Sequence, residues 1–204
     1  MHHVGQVMGR RLGEEVEKFL FTSLNLDLED SSWHLSFVGH SVGNLIIRSA
    51  LCNSAALRAV ANSSHLRTFI SLCGPHLGAA FSRNRLFNSG LWILRQLRRK
   101  SAPCLSQLAF ADAARMEHCF LYRLAFENPF VNFRYVVLAA APEDRYVPYF
   151  SARVEENAVE ISASRSKCTL LSHMTRFDFI TLISNVCLGF LLLVDTSRQF
   201  FLFL

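Results

Sequence analysis

The chain has 204 residues, 51% of them hydrophobic and 18% charged, with a net charge of +5. That is enough apolar material for one ordinary core and far from the composition of a disordered chain. Much of the positive excess falls in Leu94–Lys100 (LRQLRRK), a short isolated run that reads as a solvated helix end, so no nucleic-acid partner is expected.

In chain order, Met8 to Phe21 carries apolar residues at Met8, Leu12, Val16, Phe19 and Leu20. That spacing, with charges between, predicts a helix. A polar loop over Asn25 to Ser32 leads to a short apolar strand, Leu35 to Val38, and a helix is expected over Asn44 to Ala61. Leu66 to Cys73 (LRTFISLC) is a second β-prone run, ended by Gly74-Pro75. An amphipathic helix is expected within Arg83 to Lys100 and another over Ala111 to Ala125; Tyr135 to Ala141 (YVVLAAA) is a third continuous apolar strand. Such runs alternating with helices argue for an α/β fold, a parallel sheet with helices on both faces. The six cysteines form no C-x-x-C pair, so no zinc or other metal site is expected. With a polar N-terminus in place of a signal peptide, they read as reduced thiols of an intracellular, cytoplasmic protein.

The chemistry is concentrated in Leu35 to Leu51, LSFVGHSVGNLIIRSAL. Gly39-His40-Ser41-Val42-Gly43 is a G-x-S-x-G pattern between a strand-like and a helix-like run, the context of a nucleophile elbow. A serine on such a turn projects from the sheet edge with strained φ/ψ, and glycines at positions 39 and 43 let strand and helix approach. The helix N-terminus then favours developing negative charge, and the N–H of Val42 supplies one oxyanion donor. A serine needs a histidine to take its proton and a carboxylate to orient that histidine, in the chain order Ser, Asp or Glu, His. Asp144 comes after the third strand and is the expected acid, with Glu143 its rival. The only histidine after Asp144 is His173, a weak candidate base.

GHSVGNLIIRSAL, SLCGPHLG (Ser71 to Gly78), FNSGLW (Phe87 to Trp92) and DRYVPYFSARVE (Asp144 to Glu155) resemble, in that order, the motifs of a lipase-like serine esterase family. MGRRLGEEVEKFL resembles the family helix before the elbow, so the likeness runs from Met8 to about Glu156. It implies a partial α/β-hydrolase over residues 1–160, with Ser41 as nucleophile, Asp144 as acid and His76 in a turn on the pocket wall. It implies a lipid or other small ester as substrate and no cofactor. Two departures stand out. The family's Gly-Arg-Ala-Ala-His type segment is absent, and the oxyanion loop that precedes the first helix lies outside the sequence.

Residues 161–204 resemble nothing in the family and are expected to be a divergent, poorly packed apolar tail. Ile180 to Val194 falls short of the about 20 residues a spanning helix needs. Contact with a membrane surface and the oligomeric state stay open. The expected function is a serine ester hydrolase domain that is impaired as it stands; the alternative is a non-catalytic hydrolase domain acting as an interaction module.

Overall fold

The three apolar runs become the central strands of a parallel sheet: β1 (His34–His40), β2 (Leu66–Leu72) and β3 (Tyr135–Ala140). The structure is a computed structural model, and it describes residues 4–79, 103–155, 180–184 and 199–204. β1 pairs with β2 in the register His40↔Leu72, and β2 with β3 in the register Leu72↔Ala139. The carboxyl ends of all three strands therefore lie along one edge, where open parallel sheets place their ligand sites. Leu35, Phe37, Phe69 and Leu138 are buried, which is why these segments lack polar alternation.

The helices pack around this sheet. α1 (Val4–Glu17) continues into a π-helical turn, Lys18–Ser23. Its buried face carries glycines as well as apolar residues. Gly5, Gly9, Gly13 and Val16 are buried, and Leu20 continues that face, whereas Met8 and Phe19 are exposed. The reason is close approach to α2 (Gly43–Asn53): a Cβ on Gly9 would stand 2.6 Å from Ser49 Cβ and 2.8 Å from the Ala50 backbone nitrogen. A stripe without side chains lets two helix backbones meet, and apolar residues elsewhere on α1 are left partly in water.

The single helix expected over Asn44 to Ala61 is two. Ser54 sits between α2 and α3 (Ala55–Asn62) with extended φ/ψ, accepts the Leu57 N–H on its hydroxyl at 3.2 Å and donates its own N–H to Ala50 O. It is an N-cap, which ends one helix and starts the next. After β2 come α4 (Pro103–Leu108), a 3₁₀ turn at Met116–His118 and α5 (Phe120–Glu127), so the helix expected from Ala111 begins only at Phe120. After β3 comes α6 (Tyr149–Arg153), whose Ser151 hydroxyl donates to Gly78 O and accepts the Leu77 N–H.

Two pieces of the tail join the sheet. β4 (Ile180–Ser184) pairs parallel with β3, and β5 (Gln199–Phe203) pairs parallel with β1, giving the order β4-β3-β2-β1-β5. Each segment satisfies its backbone by adding to an edge of the existing sheet. The basic run Leu94–Lys100, the Phe87–Trp92 motif, His173, Cys168 and Cys187 lie outside the described residues.

Candidate active site

β1 ends at His40, and the chain turns through Ser41 and Val42 into α2 at Gly43. Ser41 has φ +51°, in the left-handed region that a non-glycine residue adopts at a cost of about 1–3 kcal/mol. It is held there by its N–H, which donates to Leu72 O at 2.9 Å. The Val42 N–H takes no partner among the described residues, while Val42 O accepts from Leu45 and Ile46. A free amide beside the serine, at the N-terminus of an 11-residue helix, suits an anion or an oxyanion. Gly43 faces a different neighbour from the one the motif suggests. A Cβ there would stand 2.6 Å from the carbonyl oxygen of Leu204, just beyond β5. That carbonyl accepts the His40 N–H at 2.7 Å, so the end of β5 lies against the elbow.

Asp144 lies in the loop after β3, on the same edge as Ser41, with β2 between them. Two strand spacings make about 10 Å, a gap an imidazole could bridge with a hydrogen bond on each side. One carboxylate oxygen, Oδ1, accepts the N–H groups of Tyr146 at 2.8 Å and Val147 at 3.0 Å. The loop thus fixes the carboxylate. Glu143, the rival acid, has no hydrogen bond of this kind among the described residues.

The residue between them is one that sequence reading passes over. Cys73 comes just after β2, also at positive φ (+50°), with its N–H donated to Ala139 O at 2.8 Å. Burial raises its thiol above the usual range; the Ala141 backbone amide acts against this, and the nearby Asp144 carboxylate raises it further. The thiol is therefore protonated at neutral pH and not a nucleophile.

His76 does not stand on a pocket wall. It is fully buried, with Nε2 2.8 Å from Ser71 Oγ and Nδ1 3.4 Å from Arg48 Nη1. Since the guanidinium can only donate, Nδ1 accepts and the proton sits on Nε2. Burial first, then the Arg48 charge, hold its pKa well below 6.5. Arg48 itself is fully buried on α2, donates to Leu124 O at 3.1 Å and lies 4.8 Å over the Phe130 ring; burial lowers its pKa to about 10. His76 and Arg48 are a strut beneath the site. No sequence signal marked Arg48, because a lone arginine in a helix reads as a surface residue.

Among the described residues no imidazole is bonded to Ser41 or Asp144, and no cluster of His, Cys, Asp and Glu has the makings of a metal site. His173 lies outside the described residues. No helix among the described residues is long and apolar enough to cross a membrane.

The chain is thus a partial α/β fold, a parallel sheet with helices around it, with Ser41 on a strained strand-to-helix turn at its carboxyl edge and a fixed carboxylate two strands away. The sequence profile of the family described as "Putative serine esterase (DUF676)" matches residues 4–154, and the chain belongs to that family. No solved structure matches the chain.

Proposed function

We propose that this domain is a carboxylic-ester hydrolase whose nucleophile is Ser41, and that the 204-residue chain turns esters over slowly. The observation that carries the reading is the conformation of Ser41, φ +51° at the β1–α2 junction, beside the Val42 amide, which takes no partner among the described residues. Ser41 Oγ attacks the acyl carbonyl, a histidine takes its proton, and the Val42 N–H meets the oxyanion. Asp144 is the orienting acid. The tetrahedral intermediate collapses as its bond to the alkoxy oxygen breaks, the histidine returns the proton to that oxygen and the alcohol leaves; water then hydrolyses the acyl-enzyme, returning Ser41 and releasing the carboxylic acid.

Slow turnover is expected from the surroundings of Asp144. Cys73, not an imidazole, is the described side chain beside it, and a serine without its base loses about 10⁶-fold. The same contact favours the second reading, a hydrolase domain kept as an interaction module. Leu72, Tyr146 and Leu204 are exposed along this edge of the sheet, which supports a lipid or similarly apolar ester over a polar one and would suit work at a membrane surface.

The test is p-nitrophenyl ester hydrolysis by wild type, Ser41→Ala and His173→Ala, alongside labelling with a fluorophosphonate. Weak turnover with labelling confined to Ser41 is expected. Rapid turnover abolished by both substitutions would make His173 the base and overturn the slow-turnover reading. No labelling of Ser41 at all would leave the interaction module.

A further inference from the structure

We infer that Asn44 is a positioning residue whose buried side-chain amide holds Ser41 in its strained conformation, and that Gly39 is glycine to make room for that amide. The significance for chemistry rests on the proposed role of Ser41; the geometry does not.

Asn44 is on the first turn of α2 and is fully buried. Its Nδ2 donates to Ser41 O at 3.0 Å and reaches Leu72 O at 3.4 Å. Leu72 O is also the acceptor of the Ser41 N–H, and the Asn44 backbone N–H donates to Ser41 O at 3.2 Å. The result is a closed ring: Ser41 N–H to Leu72 O, Leu72 O to the Asn44 amide, the Asn44 amide to Ser41 O. Both backbone polar groups of the strained residue are in it, and it ties the ends of β1 and β2 to the first turn of α2. A residue at φ +51° relaxes unless its surroundings over-determine it, and this ring is what does so.

The other end of the amide explains Gly39. With two carbonyl oxygens at one end of the side chain, that end must be the NH₂ group, and Oδ1 points the other way. Oδ1 is buried without a hydrogen-bond partner. A Cβ on Gly39 would overlap it and stand 2.8 Å from Asn44 Cγ; a Cβ on Gly74, from the β2 loop, would stand 2.9 Å from Asn44 Nδ2. Two glycines from the ends of two strands flank one amide. The first glycine of the G-x-S-x-G pattern therefore serves a side chain three residues after the serine, beyond the pattern itself. Aspartate has the same shape and no donor when ionised, so it would set an acceptor against two carbonyls. Alanine leaves the ring open.

The experiment measures amide hydrogen exchange of the full chain for wild type, Asn44→Asp, Asn44→Ala and Gly39→Ala, comparing Ser41 with Phe69 and Ile70 in β2, together with the rate of fluorophosphonate labelling. The expected result is exchange at Ser41 raised at least tenfold beyond any change in β2 for all three variants, and labelling slowed at least tenfold. In Asn44→Asp the excess should shrink as the pH is lowered, because the protonated carboxyl regains a donor. A side chain that merely fills space predicts that Asn44→Asp, which keeps the shape, leaves Ser41 exchange in step with β2 at every pH; that result would overturn the inference. If wild-type Ser41 is not labelled, the proposed function fails, and the exchange comparison still decides the role of Asn44.

Discussion

The ends of β1 and β2 are neighbours in the sheet and share a backbone habit: Ser41 and Cys73 both sit just past a strand at φ near +50°. Their chemistry diverges because the chain continues differently from each. Ser41 leads into an 11-residue helix and has beside it the Val42 amide, which takes no partner among the described residues. Cys73 leads into a Gly-Pro turn, is half-buried, and its thiol is raised by burial and by the charge of Asp144. The intrinsically better nucleophile is thus held protonated, and the imidazole three residues on, His76, is buried neutral. Residue type and backbone strain alone do not make a reactive group. The fields of the helix terminus and of the nearest carboxylate separate these two ends.

The largest expected effect breaks the comparison at its reactive end. Ser41→Ala should abolish fluorophosphonate labelling, a loss of at least a hundredfold, while Cys73→Ala leaves the label in place on Ser41. Intact-mass and peptide mass spectrometry read both. A label that moves to another residue in Ser41→Ala would remove the claim that the elbow is special.

Exchanging the side chain sharpens it next. In Ser41→Cys, the introduced thiol stands at the helix N-terminus, which lowers a thiol pKa, whereas Cys73 stays raised. Iodoacetamide at pH 7 should alkylate position 41 at least tenfold faster than Cys73, measured peptide by peptide. Equal rates would mean that the α2 terminus contributes nothing at Ser41.

A third expectation concerns stability at the buried end. The pKa of His76 is lowered in the folded state, so below about 6.5 the unfolded chain binds a proton that the folded chain refuses. The stability is fully present above the unfolded-state value and declines as the pH falls below it. Melting temperature should drop between pH 7 and pH 5, and His76→Gln should flatten that slope whatever it does to the melting temperature at pH 7. An unchanged slope in the variant would place the titration elsewhere.

The smallest expected effect is on Cys73 itself. Asp144→Asn removes the carboxylate charge while the amide oxygen still accepts from Tyr146 and Val147. The thiol pKa should fall, though burial, the larger cause, stays. The midpoint of the pH dependence of Cys73 alkylation should move to lower pH; a shift upward would contradict the contact with Asp144.

The sequence by itself determined the three central strands, the turn at Ser41 and the loop that carries Asp144. Each of these is written in short-range chemistry: continuous apolar runs for β1, β2 and β3, glycines around Ser41, and a polar turn at Asp144. A resemblance across several motifs supplied the family, and the profile match over residues 4–154 agrees with it.

What only the tertiary structure decided depends on partners far along the chain. The buried face of α1 is a glycine stripe, because contact with α2 rewards absent side chains where periodicity rewards apolar ones. His76 is a buried strut and not a wall residue, because Arg48 and Ser71 claim its two nitrogens. Two stretches of the tail became strands at opposite edges, since an unpaired sheet edge supplies hydrogen bonds that no local pattern announces. Cys73 fell between Ser41 and Asp144, and Asn44 became the brace of Ser41, only when parallel pairing brought three strand ends to one edge. Local propensity fixes which residues form an element; which side chains then meet is set by register and close packing, and those are properties of the assembled sheet.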